Sequence, residues 1–346
     1  MARPIERSGS ERRIGEDFTT PKAFCIRAFG WGPGESEKNG TIRLYEVNLS
    51  SPESLPMIHP ICKTNHPIAS CCVSVGSTIY CIGANPDHRF GFGRDVLIGD
   101  FRYPEQVWKQ GTPMLNGRWF PHAVAMAGEI YVFGGCRVDT DLWAEVYNPE
   151  KDEWKPLMKP PSEITNLSCC KFFVAILDER AKKILVGSCC GDLFYVYDAI
   201  YDSWEQKKYE EELYMMSCYT KPALYDNTLY WLDFGKIYAY DLNAKRYFCG
   251  HFECREIDDL LDVVGCLKYQ PLFFHLWQEE FCFLWIETVV HPSSSRPHRI
   301  FSCIHWVRWR ISKNIVNGSL SISTVSKGAD SVKHHLSYID SMMLKG

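Results

Sequence analysis

The stretch "GEIYVFGG" (residues 128–135), with "CRVDTDLWAEVYNPEKDEW" (136–154) directly behind it, decides how the rest of the chain is read. A short apolar run rich in aromatic and β-branched residues ends in Gly134 and Gly135. Such a run reads as a buried strand. A glycine pair at its end permits unusual backbone angles and the close approach of a neighbouring sheet. Tyr147 and Trp154 follow, seven residues apart, with Asn148 just after the tyrosine. Asn and Asp favour turns because their side chains bond the nearby backbone. An odd separation about a tight turn makes two residues cross-strand partners on one face. The unit therefore reads as four strands, "HAVAMA" (122–127), "IYVFGG" (130–135), "AEVYN" (144–148) and "EWKPLM" (153–158). A turn at Gly128–Glu129 joins the first two, the loop "CRVDTD" (136–141) the middle two, and a second tight turn the last two.

The same order recurs along the chain. "VGSTIYCIGA" (75–84) precedes "DFRYPEQVW" (100–108), "AKKILVGS" (181–188) precedes "VYDAIYDSW" (196–204), and "DNTLYWLDF" (226–234) precedes "AYDLNAKRY" (239–247). The last aromatic of each unit falls at Trp108, Trp154, Trp204 and Tyr247, at intervals of 46, 50 and 43 residues. A period in the forties is that of propeller blades. Phe101 and Trp108, Tyr197 and Trp204, and Tyr240 and Tyr247 keep the seven-residue spacing, so each unit is expected to end in an aromatic-paired hairpin. A run of ordinary hairpins in a sandwich is the competing architecture, and four copies at one period weigh against it.

Composition narrows the function classes. Hydrophobic residues make up 46% and charged residues 23% of the 346-residue chain, a globular balance able to bury a sizeable core. The net charge of −4 argues against nucleic acid as the default partner. Aromatics reach 14%, which suits strands better than helices. The 16 cysteines include the adjacent pairs Cys71–Cys72, Cys169–Cys170 and Cys189–Cys190. Neighbours on a strand point to opposite faces, so these pairs do not bridge to themselves. With no apolar run at the N-terminus to suggest secretion, the reading is of thiols in a reducing compartment, cytoplasm or nucleus. No apolar stretch reaches the ~18 residues of a membrane-spanning helix, and no membrane partner is expected.

The glycine doublet, the tyrosine, and the tryptophan seven residues after it resemble the kelch repeat. Residues 122–161 carry the pattern most fully, while elsewhere the doublet reads Gly83–Ala84, Gly187–Ser188 and Asp233–Phe234. The longer segments "CCVSVGSTIYCIGA" (71–84), "VWKQGTPMLNGRWFPHAVAMAGEIYVFGGC" (107–136), "KPALYDNTLYWLDFGKIYAYD" (221–241) and the tryptophan-rich "FCFLWIETVVHPSSSRPHRIFSCIHWVRWRI" (281–311) resemble the plant F-box/kelch-repeat proteins. The resemblance covers roughly 24–325. It implies an all-β, kelch-type β-propeller, here of six four-stranded blades with an incomplete first blade. "FCIRAFG" (24–30) and "TIRLYEV" (41–47) are the second and third strands of that first blade, and 262–325 make the last, with a long loop at 290–299. Residues 1–23 read as a disordered, polar N-terminal segment. Residues 326–346 read as a tail able to lend a ring-closing strand, since closure removes exposed edges. The structural kelch residues are Gly134, Gly135, Tyr147, Trp154, Trp108, Trp204, Tyr197 and Tyr240.

What the resemblance implies for function is protein–protein recognition, as in the substrate-receptor part of cullin-RING ubiquitin ligases, and no catalysis. The family's F-box, an acidic, leucine-rich segment that binds a Skp-type adaptor, has no counterpart before residue 24. An adaptor is thus expected only if an F-box lies outside this chain. In an up-and-down blade the second-to-third-strand loops and the blade-to-blade links share one face, and binding is expected on such loops. The candidates are Arg89, Phe90 and Arg94 in "NPDHRFGFGRD" (85–95), Arg137, Asp139 and Asp141 in "CRVDTD", and His298 in "VVHPSSSRPH" (289–298). The partner is a protein, the chain is expected to be a monomer, and no cofactor is called for. Other functions considered are a kelch-fold enzyme or metal-dependent specifier protein, and a structural scaffold. His59, Cys62 and His66 in "HPICKTNH" have metal-like spacing but no second half-site, and read as a blade-to-blade link. Trp306, Arg308 and Arg310 alternate as one face of an edge strand.

Overall fold

The computed structural model describes residues 23–31, 41–48, 58–64, 70–84, 92–103, 106–137, 141–166, 172–188, 193–207, 220–233, 235–252, 257, 271–291, 299–332 and 335–343. The N-terminal segment 1–22, Cys169–Cys170, Cys189–Cys190 and His66 lie outside the described residues.

Strands follow in chain order, grouped by sheet. β1 (Ala23–Trp31), β2 (Thr41–Asn48) and β3 (Ile58–Thr64) are the N-terminal set. β4 (Cys71–Val75), β5 (Thr78–Ala84), β6 (Asp95–Asp100) and β7 (Lys109–Gln110) form the next sheet. β8 (His122–Met126), β9 (Glu129–Phe133), β10 (Ala144–Asn148) and β11 (Glu153–Pro156) come after it, and one helical turn, α1 (Ser162–Thr165), lies in the link beyond. β12 (Phe172–Asp178), β13 (Lys183–Ser188), β14 (Phe194–Asp198) and β15 (Ser203–Lys207) make the fourth sheet. β16 (Ala223–Tyr225), β17 (Thr228–Asp233), β18 (Lys236–Asp241) and β19 (Arg246–His251) make the fifth. The last comprises β20 (Leu272–Trp277), β21 (Glu280–His291), β22 (Arg299–Asn314) and β23 (Ser319–Val332). It is tied to the fifth by one parallel bridge, Cys249 to Ser319.

β24 (His335–Met343) completes the N-terminal sheet, lying antiparallel to β1 in the order β24-β1-β2-β3. The first blade thus takes its innermost strand from the far end of the chain. β23 runs past residue 325, where the tail was drawn, and on to Val332.

The six innermost strands close a ring. β24 touches β4, and β4 then β8, β12, β16 and β20 touch in turn until β20 meets β24 again. The buried apolar residues obey the same order, in clusters that each sit between two neighbouring blades. Ile26, Tyr45 and Leu336 of the first blade pack on Leu284, Trp306 and Val332 of the sixth. Phe29, Ile42 and Leu44 pack on Ile79 of the second. The chain is an all-β, six-bladed kelch β-propeller, its hydrophobic stabilisation divided among the interfaces between sheets.

The register explains the repeating aromatics. Tyr147 faces Trp154, Tyr197 faces Trp204 and Tyr240 faces Tyr247, with ring centroids 4.9, 5.1 and 4.7 Å apart. The second blade departs from this pattern. There Leu97 pairs with Gln110 and Ile98 with Lys109, which leaves Phe101 and Trp108 outside the ladder. Trp108 packs on Gly99 instead, where an added Cβ would come within 2.7 Å of the indole. Cys71 and Cys72 do point to opposite sides of β4, one into the cluster shared with the third blade and the other toward the first.

Three further expectations are corrected. Residues 58–64 are the outermost strand of the first blade, not a link, because they pair along β2. β22, which carries Trp306, Arg308 and Arg310, is no edge strand, being paired on one side by β21 and on the other by β23. Its Trp306 and Arg308 are buried, and both Arg308 and Arg310 bind Glu280, each at 2.7–2.8 Å. The second-to-third-strand loops vary in length, and the one drawn at 289–298 is shorter than expected. In the fifth blade Asp233 pairs directly with Lys236 across a tight turn. In the sixth, β21 continues through His291, so Val289 to His291 belong to a strand rather than a loop.

Candidate functional site

On the face carrying the strand-two-to-three loops, the described residues form a connected surface where the second blade meets the third. Three segments converge there. Phe92 to Arg94 lead into β6, 114–119 belong to the link between the blades, and Gly134 to Arg137 leave β9. Gly93 and Arg118 exchange backbone hydrogen bonds of 3.1 and 2.9 Å. Arg94 Nε donates to Met114 O at 2.6 Å, and Met114 N–H donates back to Arg94 O at 2.9 Å. Trp119 N–H donates to Gly135 O at 2.6 Å, and the Arg137 guanidinium lies 5.4 Å from the centre of the Phe92 ring.

One buried arginine fastens this platform to the blade beneath. The Arg118 and Glu145 side chains are both fully shielded from solvent and paired at 2.8 Å. Arg118 also donates to the carbonyls of Gly134 (2.5 Å), Trp143 (2.8 Å) and Leu142 (3.1 Å). The second Glu145 oxygen accepts from Leu115 N–H at 2.8 Å. A buried ion pair is tolerated when its remaining hydrogen-bonding capacity is met, as it is here.

The opening glycines have two distinct reasons to be glycine. Both have positive φ, +63° at Gly134 and +69° at Gly135. An added Cβ at Gly134 would come within 2.5 Å of Phe172 in the next blade. At Gly135 it would come within 2.6 Å of the Trp119 carbonyl, in the link from the preceding blade. The doublet lets one strand end touch both neighbours.

Of the candidates read from sequence, Arg94 and Arg137 meet at this corner, both exposed. Asp141 is exposed and paired with Lys159 at 2.8 Å. Arg89, Phe90, Asp139 and His298 lie outside the described residues. Sequence reasoning passed over Phe92, Leu115 and Trp119, which are 40%, 39% and 37% exposed at the same place. The signal that would have found Leu115 and Trp119 is topological, because the links share a face with the loops. Among the described residues, no three His, Cys, Asp or Glu side chains gather as metal ligands. The Cys136 thiol, beside the platform, is raised from its ordinary pKa chiefly by burial, with Arg118 opposing.

Comparison with known proteins agrees with this architecture. A family model described as "FKB95, Kelch-repeats domain" matches residues 36–249, more than half of the chain. An F-box/kelch-repeat protein of Arabidopsis thaliana is 27% identical over 177 residues, covering 51% of this chain and 42% of the relative. A second from the same plant is 30% identical over 182 residues, covering 51% and 43%. Kelch-like protein 23 of Mus musculus is 31% identical over 132 residues, covering 36% of this chain and 24% of the relative. The chain spans less than half the length of these relatives. With the kelch hairpins, the six-bladed ring and the family match in agreement, the chain belongs to the FKB95 kelch-repeat family.

Proposed function

We propose that this propeller is a protein-recognition module, non-catalytic in itself, that binds a partner on its loop face at the junction of the second and third blades. The observation that carries the reading is the Phe92–Leu115–Trp119 platform, held rigid from below by Arg118 and left open above. Exposed aromatic and arginine side chains on a preorganised surface are the usual anchors of protein interfaces. The names of the relatives, F-box/kelch-repeat and Kelch-like, support assigning the partner to the substrate side of a cullin-RING ubiquitin ligase. In that role the propeller selects the protein to be ubiquitinated, and a Skp-type adaptor is bound by an F-box elsewhere. The buried thiol of Cys282 supports work in a reducing compartment, cytoplasm or nucleus.

The test is affinity purification of the full chain from its own cells, beside Phe92→Ala/Arg137→Glu on the loop face and Tyr201→Ser on the opposite face. Discrete partners that vanish with the first variant and persist with the second are expected. Partners indifferent to the loop-face variant would overturn the reading. Recovery of the adaptor and a cullin together with the partner is expected for the ligase role, and a partner recovered without them would remove that role while leaving recognition intact.

A further inference from the structure

We infer that the corner between the second and third blades takes an acidic linear segment of a partner protein that also carries a large apolar side chain. This rests on the recognition reading above and names the chemistry of the partner.

Charge is the first argument. Arg94 and Arg137 are exposed, and neither has a carboxylate partner among the described residues. Among the described carboxylates, Glu145 is engaged by Arg118 and Leu115 N–H, and Asp141 by Lys159. Asp95, the first residue of β6, forms no ion pair with Arg94 among the described residues. Arg94 uses its Nε on the Met114 carbonyl, which fixes the guanidinium and leaves its terminal nitrogens to a ligand. Arginine forks match carboxylates in a bidentate fashion, and a fork already oriented loses less freedom on binding.

Shape is the second. Phe92, Leu115 and Trp119 are the large apolar side chains left partly open here, and Arg137 lies over one of them. An aromatic or aliphatic side chain seated between them shields apolar surface, while a carboxylate a residue or two away meets Arg94 or Arg137. The lack of a side chain at Gly117 keeps the base of Phe92 close to the link, because a Cβ there would sit 3.0 Å from the Phe92 carbonyl. Three apolar side chains and two arginines suit the anchor of a peptide, whereas a flat protein face of ordinary size needs ~800 Å² from each partner.

The experiment pans a displayed library of short random linear peptides on the full chain and measures the affinity of the best binders by fluorescence polarisation. Enriched peptides are expected to place Asp or Glu within a few residues of Trp, Phe or Leu. Arg94→Glu/Arg137→Glu is expected to weaken them at least ~10-fold, Arg94→Lys/Arg137→Lys to weaken them less, and Tyr201→Ser to leave them unchanged. Added salt should also weaken binding. Binders without acidic residues, binders indifferent to the charge reversal, or no binders at all would overturn the inference. In each of those cases partner capture sensitive to Phe92→Ala would still stand for the recognition reading, so the two fail separately.

Discussion

Trp154 does two jobs at the residue scale, and its neighbours explain both. Its ring packs at a tilt against Tyr147, and its Nε1–H donates to the Thr112 carbonyl, in the link from the preceding blade, at 2.8 Å. The Tyr147 hydroxyl donates to Asp152 Oδ1 at 2.6 Å, and the same oxygen accepts Thr112 N–H at 3.3 Å. The arrangement repeats one blade on, where Tyr197 binds Asp202 at 2.9 Å and Trp204 binds the Met158 carbonyl at 2.8 Å. Asp152 and Asp202 both sit at positive φ, 51° and 46°, which short polar side chains tolerate best outside glycine. Trp154→Ala should cost ~3–5 kcal/mol in denaturant unfolding. Trp154→Phe, which keeps most of the ring and loses the hydrogen bond, should cost ~1–2 kcal/mol. The Asp152 carboxyl is held below its ordinary pKa, first by the Tyr147 hydroxyl and next by Thr112. A depressed native pKa stabilises the fold above the unfolded value of about 4, and that stabilisation is lost as pH falls through the native value. Asp152→Asn should therefore be less stable than the natural chain at pH 7, with the gap narrowing below about pH 4. A gap that stays constant through the acid range would show that the carboxylate charge contributes nothing. Gly135 and Gly128 give a paired comparison, since both have positive φ but only Gly135 has a carbonyl in the way of a Cβ. Gly135→Ala should cost more than Gly128→Ala by ~1–3 kcal/mol in the same unfolding assay.

Hairpins were legible at the element scale where their signals are local. In the third blade the spacing of Tyr147 and Trp154 and the turn residues between them define β10 and β11, and pairing follows that spacing. The same spacing misleads in the second blade. Phe101 stands seven residues before Trp108, yet the indole lies over Gly99, because an absent side chain makes room where an aromatic partner was expected. Periodicity counts residues and does not see which of them leaves space. β24 gave a weak signal for a different reason, since its hydrogen bonds go to β1 at the opposite end of the chain and no local pattern announces them. Its first turn of contact is specific even so. Leu336 is fully buried, and its N–H donates to Ser302 Oγ of the last blade at 2.9 Å. Leu336→Ala should destabilise the whole ring by ~2–5 kcal/mol, lowering the unfolding midpoint of a single transition. Loss of less than about 1 kcal/mol would mean that β24 does not hold the first and last blades together.

The whole molecule is a ring in which each blade is stabilised mainly by its neighbours, so the faces are left to carry function. The loop face is uneven. The fifth blade turns tightly between Asp233 and Lys236, while the second and third raise a platform from two loops and one link. The loop face was singled out for binding from strand order alone, and Arg94 and Arg137 were named as candidates by that logic. Phe92 lies in the same loop segment, 85–95, as three residues that were named, and Leu115 and Trp119 lie in a blade-to-blade link from which no candidate was drawn. What assembles them is Arg118, whose pairing with Glu145 across 27 residues no linear pattern reports. The most direct measurement of the central claim is hydrogen–deuterium exchange of the full chain, alone and with its captured partner. Slowed exchange at 92–94, 114–119 and 135–137, with the third-to-fourth-strand turns at 200–202 and 315–318 unchanged, is the predicted result. Protection confined to those turns, with the platform exchanging as it does in the free chain, would contradict it.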